Sequence, residues 1–233
     1  MIVLLPPGPR PVGSIVALDA DESHHLRVRR SEEGESVEVR DGAGLLGTGL
    51  LERAAAGYAV RITESRVAEP ARALTLAVGA GDKDRFGWLV EKAGELGVTD
   101  VIPIETEFTA GVASRVRESH LSKLARRALE ATKQSGAAWA PRIHAPAPLA
   151  TFLALPRQGT RWLADAGGSR PADPGAGGVT ILVGPEGGFS GTERSAALAA
   201  GWAPVRLGPN VLRFETAAVA GAVLAGILNG GGG

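Results

Sequence analysis

The sequence predicts an α/β domain preceded by a small β domain. Up to about Glu69 it holds strand-like pieces separated by turn residues and little helical period; beyond that point apolar runs alternate with helical periods. The intervening Arg66-Val67-Ala68-Glu69-Pro70-Ala71-Arg72 is charged and carries a proline, which places a boundary there. The domains expected are residues 1–68 and 72–229, with a flexible tail at 230–233.

In the first domain the strand candidates are residues 14–18, 36–40, 45–51 and 58–63, with Asp41-Gly42-Ala43-Gly44 as a turn. In the second, residues 74–78 read as a buried strand. Phe86, Leu89, Val90, Ala93 and Leu96 then recur at helical spacing and stop at Gly97. A strand at 101–104 follows. Leu121, Leu124, Ala125, Ala128 and Leu129 mark an amphipathic helix, with Lys123, Arg126, Arg127 and Lys133 away from its stripe. Further strands are expected at 161–164, 179–183 and 205–207, and a surface loop in the Gly/Pro-rich stretch 167–178. Ser190 with Glu193 three positions on predicts a capping box at a helix start, and an apolar helix closes the chain at 216–228.

Composition removes several function classes. Lys plus Arg number 25 and Asp plus Glu 25, so no global positive field draws the chain to a polyanion, and any nucleic-acid site is a local patch. Cys is absent, which excludes disulfides, thiolate zinc sites, iron–sulfur clusters and a cysteine nucleophile. The adjacent His24 and His25 have no second pair at ligand spacing, so no metal is expected. The longest strongly apolar run, residues 217–228, falls short of the roughly twenty that span a bilayer, so no membrane partner is expected. Proline breaks the amino-terminal Met1-Ile2-Val3-Leu4-Leu5-Pro6-Pro7 too early for a signal peptide, and a soluble cytoplasmic protein is the expectation.

The 33 glycines matter by position. Ile181-Leu182-Val183-Gly184-Pro185-Glu186-Gly187-Gly188-Phe189-Ser190 is a strand running into a glycine-rich loop and a capped helix, where a ligand can approach main-chain groups. It lacks the Gly-Lys-Ser/Thr of a phosphate loop and the spacing of a dinucleotide fingerprint, and Glu186 favours a cationic or neutral ligand over a polyphosphate. A tight strand-to-helix turn is the alternative. Leu207-Gly208-Pro209-Asn210-Val211-Leu212-Arg213-Phe214-Glu215-Thr216 is a second such link, and two of them on one sheet lie together at its carboxyl edge. Arg213 is either a site residue or a salt-bridge former, and Glu215 or Thr216 a cap. Lys92-Ala93-Gly94-Glu95-Leu96-Gly97-Val98 with Pro103 is by itself architecture, with Lys92 and Glu95 a solvated pair.

Together these segments resemble the bacterial 16S ribosomal RNA uridine-N3 methyltransferase family of the SPOUT class. The family's Lys-Ala-x-Glu-Leu-Gly-Val-x-x-x-x-Pro, Gln-Ser-x-Arg, Gly-Pro-Glu-Gly-Gly and Leu-Gly-x-x-Val/Ile-Leu-Arg-x-Glu-Thr-Ala segments correspond to residues 92–103, Gln134-Ser135, 184–188 and 207–217. His24, Val28, Arg30 and Gly34 match an amino-terminal pattern, with Arg29 in place of leucine. Two departures stand out: Gly136, Ala137 and Ala138 follow Gln134-Ser135 where the family has an arginine, and Phe214 replaces a smaller residue or Thr.

The resemblance implies a PUA-like β-barrel and a SPOUT-type knotted domain, acting as a homodimer on 16S ribosomal RNA of the small ribosomal subunit with S-adenosylmethionine as donor. It implies a cofactor site at the 163–166 region, including Leu163, with Leu182, Gly184, Pro185, Glu186, Gly187, Gly188, Leu207, Gly208, Asn210 and Leu212. Arg213 would stabilise the uridine anion and Glu215 act as general base. His24, Arg27, Arg29 and Arg30, with the neighbouring His25, and Arg126 on the second domain alongside Arg115, Arg117, Lys123 and Arg127, are candidate RNA contacts. The alternatives are methylation at another RNA position such as a ribose hydroxyl, and a non-catalytic RNA-binding or ribosome assembly factor.

Overall fold

The structure is a computed structural model that describes residues 1–156, 158–175 and 177–230; the expected tail at 231–233 lies outside the described residues. The chain divides into two compact units, residues 1–71 with 132–140, and residues 72–131 with those from 141 onward.

The first unit is a five-stranded sheet built from β1 (Ile2–Leu4), β2 (Ile15–Ala17), β3 (Ser36–Arg40), β4 (Leu45–Ala54) and β5 (Gly57–Val67), in the order β1-β3-β4-β5-β2. β1 runs parallel to β3 and the other pairs are antiparallel. Alternate residues such as Val37, Val39, Val60 and Ile62 bury one face around Val3, Leu26 and Leu51. A helix, α1 (Ala20–Arg29), interrupts the β pattern where none is expected. Its buried residues are Glu22, Ser23 and Leu26, a face with one apolar member, so there is no apolar period to read. What starts it is local: the Asp19 side chain accepts a 2.8 Å hydrogen bond from the Glu22 N–H.

Residues 132–140 belong to this unit through Trp139. Its indole N–H donates to the Glu69 carbonyl at 3.1 Å, and its ring lies where a Cβ on Gly44 would come within 2.5 Å. Gly44, at φ 106°, therefore meets two demands that only glycine satisfies, a positive φ and a close approach.

The second unit is an all-parallel sheet in the order β12-β10-β11-β6-β7-β8, with the short β9 also on β7. Its strands are β6 (Leu74–Gly79), β7 (Asp100–Glu105), β8 (Arg142–Ile143), β9 (Ala147–Pro148), β10 (Thr160–Ser169), β11 (Val179–Val183) and β12 (Ala203–Val205). The helices are α2 (Lys83–Glu95), α3 (Leu121–Ser135), α4 (Leu149–Ala154), α5 (Gly191–Ala199) and α6 (Phe214–Gly230). All five residues of β11 are buried, as a parallel strand covered on both faces requires. Ile181 and Val183 pack with Phe86, Leu89, Phe214 and Ala218 of α2 and α6, while Leu163 and Leu182 pack with Phe152, Ala197 and Trp202 on the other face.

Local signals are obeyed at Ser190 and Glu193, whose capping box starts α5, and at Gly97, which leaves α2 at φ 70°. Lys92 pairs with Glu95 at 2.7 Å and Glu91 at 3.1 Å, as a solvated cluster. Two expectations are corrected. β10 continues to Ser169, into the stretch expected to be a loop, because Gly168 lets it close on β12: a Cβ there would lie 2.5 Å from the Pro204 carbonyl carbon. β12 ends at Val205, two residues before the expected strand does, because Leu207 already belongs to the return toward α6. β8, β9 and α4 are too short for any periodicity to announce them.

β8 is held to β7 by charge. Asp100 accepts from Arg142 Nε at 2.9 Å and Nη2 at 3.1 Å and contacts His144 Nε2 at 2.7 Å. Burial pushes the Asp100 carboxyl up, yet hydrogen bonds from Arg142, His144 and Thr99 outweigh it and hold the group below the usual carboxylate range. The stability this contributes is fully present above the unfolded value of about 3.9 and disappears as pH falls through the depressed folded value. Asp100→Asn is expected to flatten the loss of stability below about pH 4, measured as denaturation midpoint against pH.

Candidate functional site

β11 and β12 flank β10 in the sheet, so the segments that leave their carboxyl ends, residues 184–190 and 206–213, meet over the end of β10. They enclose a cleft of about 700 Å³, at the edge where open α/β sheets bind ligands. The second segment carries the chain from the edge strand β12 back to α6, which packs on α2, β6 and β11 at the sheet centre.

The glycine loop is shaped by close approaches. The Gly188 N–H closes a turn on the Pro185 carbonyl at 2.8 Å, with Gly188 at φ 72°. A Cβ on Gly79, at the end of β6, would sit 2.4 Å from Pro185 N, so the loop lies against bare backbone. The Glu186 carboxylate turns toward α2, where its Oε1 accepts from the Asp82 N–H at 3.2 Å. On the far side, Glu193 accepts from Ser190 N at 2.9 Å with one oxygen and from Glu107 N at 2.8 Å with the other, fixing the loop to the segment after β7.

Leu163, Gly184, Pro185, Glu186, Gly187, Gly188, Leu207, Gly208, Asn210 and Leu212 all line the cleft, and so does Arg213. Two expected residues do not. The two-residue period of β11 turns Leu182 away from the α2–α6 face to lie fully buried near Phe152 and Trp202. Glu215, the second residue of α6, is outside the cleft wall and half-buried, and its Oε2 has no hydrogen-bond partner among the described residues.

Three charged residues of the cleft lie outside the expected set, Arg85, Arg194 and Arg206, while Asp165 falls within the expected 163–166 region. Asp165 follows β10's last expected strand residue, the one local signal available; Arg85 arrives only through the topology. Arg194 Nε donates to Asp165 Oδ2 at 2.7 Å and Gly167 N to Oδ1 at 2.8 Å. Burial raises the Asp165 carboxyl, and these hydrogen bonds overcome that and leave it lowered, a fixed anion in the cleft wall.

Away from the cleft, His24, His25, Arg27, Arg29 and Arg30 are exposed on α1 and its end, with Arg29 3.3 Å from Glu35. Arg126, Arg127 and Lys123 are exposed on α3. Arg115 is committed to structure: its guanidinium holds the Thr109 and Ala110 carbonyls. Gly136, which stands beside the missing family arginine, accepts from the buried Arg40 at 3.3 Å. Among the described residues no group of three or more His, Asp or Glu could hold a metal ion, and no helix is long and apolar enough to cross a membrane.

Comparison with known proteins places this architecture. A family model for an RNA methyltransferase domain matches residues 68–225, and one for an RNA methyltransferase PUA domain matches residues 18–60. Ribosomal RNA small subunit methyltransferase E of Synechocystis is 31% identical over 88% of this chain and 71% of its own length. The Mycobacterium bovis protein of that name is 29% identical over 93% and 87%. Among solved structures, ribosomal RNA small subunit methyltransferase E from Neisseria gonorrhoeae, bound to S-adenosyl methionine, superposes with a TM-score of 0.85 at 27% identity, covering 97% of each chain. A Legionella pneumophila methyltransferase in complex with the same cofactor gives 0.81 at 25% identity over 96% of each. The fold is therefore the SPOUT-type α/β arrangement with a PUA-like β domain, and the chain belongs to the family of small-subunit ribosomal RNA methyltransferases E.

Proposed function

We propose that the chain uses S-adenosylmethionine to methylate N3 of a uridine in 16S ribosomal RNA. The observation that carries this reading is the cleft over β10, together with the structural neighbours solved with that cofactor. Its residues suit the group: Leu163, Leu207, Leu212 and Phe214 offer apolar walls, and Gly184, Gly187 and Gly208 leave main-chain amides and carbonyls accessible, while Asp165 is held in the wall by its ion pair with Arg194. When bound, S-adenosylmethionine supplies an electrophilic methyl group on a sulfonium.

The chain's own task is to position the base and to accommodate the charge left when the N3 proton departs. Arg213 is exposed at the cleft and, among the described residues, engaged by no carboxylate, so its guanidinium is available to a uridine carbonyl that gains negative charge. Glu215, the candidate for general base, lies outside the cleft wall, and its buried Oε2 has no hydrogen-bond partner among the described residues. RNA is held by the exposed cations of α1 and by Arg126, and affinity falls with salt by a few phosphate contacts. The protein acts as a homodimer through α2 and α6, where Trp88, Val223 and Ile227 remain 42%, 39% and 66% exposed; light scattering at twice the chain mass checks this.

The decisive experiment incubates the protein with S-adenosylmethionine and small subunits from cells lacking the activity, then maps nucleotide masses. One methylene gained on a single uridine base is expected; a gain on ribose, or none, rejects the reading. Gly79→Ala gives an independent check on the cleft. Its Cβ meets backbone that cannot yield, so cofactor affinity is expected to fall by about tenfold or more in calorimetry. Gly81→Ala should cost less, because there the Cβ meets only the end of the Glu186 side chain.

A further inference from the structure

The turn after β7 presents an aromatic side chain that the core does not use. Phe108, in the 3-10 turn Glu107–Thr109, is 45% exposed although Thr106 and Thr109 beside it are buried. The turn is fixed from three sides. Thr109 Oγ1 accepts from Thr106 N at 2.8 Å and donates to the Thr106 carbonyl at 2.9 Å. The Glu107 N–H is held by Glu193, and Arg115 holds the Thr109 carbonyl at 3.3 Å.

This rigid turn abuts the cleft. A Cβ on Gly187 would lie 3.1 Å from Phe108 Cβ and 3.3 Å from its ring Cδ2, and Gly187 itself lines the cleft. Only a bare glycine separates the ring from the site. Arg85, Arg206 and Arg213 line the same cleft, and among the described residues none is paired with a carboxylate. An exposed aromatic face on a braced turn, beside available guanidiniums, is the combination that takes an unstacked nucleotide: the ring stacks on the base and the cations meet phosphate. Because the backbone that carries the ring is already braced, little ordering of the turn is lost on binding.

We propose that Phe108 is a stacking platform for a base of the RNA strand presented to the cleft, acting beside Gly187 to position the substrate. This rests on the reading that RNA is the methyl acceptor. The test compares Phe108→Ala, Phe108→Leu and Phe108→Tyr with wild type. Phe108→Ala is expected to raise KM for RNA by about tenfold, with cofactor affinity in calorimetry and mass in light scattering unchanged. Phe108→Tyr should restore KM and Phe108→Leu should not. An unchanged KM in Phe108→Ala, full recovery with leucine, loss of cofactor binding, or a change of mass showing that a second copy covers the ring would each overturn the proposal. If wild type transfers no methyl group to RNA, the functional reading fails instead. Fluorescence anisotropy with the same RNA then decides the platform: weaker binding by Phe108→Ala supports it, equal binding or none by wild type overturns it.

Discussion

Arg213→Ala is expected to lower kcat for methyl transfer by about 100- to 1,000-fold while leaving cofactor affinity close to wild type. The magnitude follows from what the residue would be asked to do. Loss of the N3 proton leaves negative charge on the uracil carbonyls, and a donor already placed at the cleft stabilises that charge more than it stabilises the neutral base. Arg213 is suited to this because it lines the cleft just ahead of α6 and, among the described residues, no carboxylate neutralises it. Arg213→Lys should recover only part of the loss, since an ammonium is a point charge without the planar fork of donors. Single-turnover rates separate this from a binding defect, and a thermal melt checks the fold, which should not change because, among the described residues, no side-chain bond of Arg213 holds the structure together. A variant with wild-type turnover would remove Arg213 from the mechanism.

What could be read in advance, and what could not, divides by the distance along the chain over which the information lies. The strand, glycine loop and capped helix from Val179 to Ala199 are legible because every signal in them is local: a buried apolar run, then glycines, then Ser190 and Glu193 three residues apart. The second role of Glu193, holding the Glu107 amide 86 residues away, has no local signature. The same holds for Glu186 on the Asp82 amide and for Pro185 against Gly79. The resemblance puts Leu182 in the cofactor site, and no local signal corrects it, because a strand buried on both faces lacks the polar alternation that would say which residues point where. Arg85 and Arg206 are ordinary charged residues until the topology brings their segments to one edge. Within the first unit, α1 carries no readable period because the face it buries is mostly polar.

That polar face leads to the other large effect: Lys133→Met is expected to destabilise the first unit by about 3–5 kcal/mol. By its place off the apolar stripe of α3, Lys133 reads as a solvent-facing charge. In the structure its ammonium lies 2.5 Å from Glu22 Oε1, with the two side chains only 18% and 5% exposed. Removing the lysine strands a carboxylate beneath α1 without a counter-charge, and the desolvation already incurred is then uncompensated. The pair need not be favourable as a whole. Replacing both partners with apolar residues, Glu22→Leu with Lys133→Met, abolishes the buried charge as well as the bridge and should recover most of the loss. Hydrogen-exchange protection of β3, β4 and β5 amides reads the first unit directly, apart from the second. A single variant as protected as wild type would mean that Glu22 finds water without Lys133. A double variant no better than the single one would mean that the cost lies in packing around α1, and not in the stranded charge.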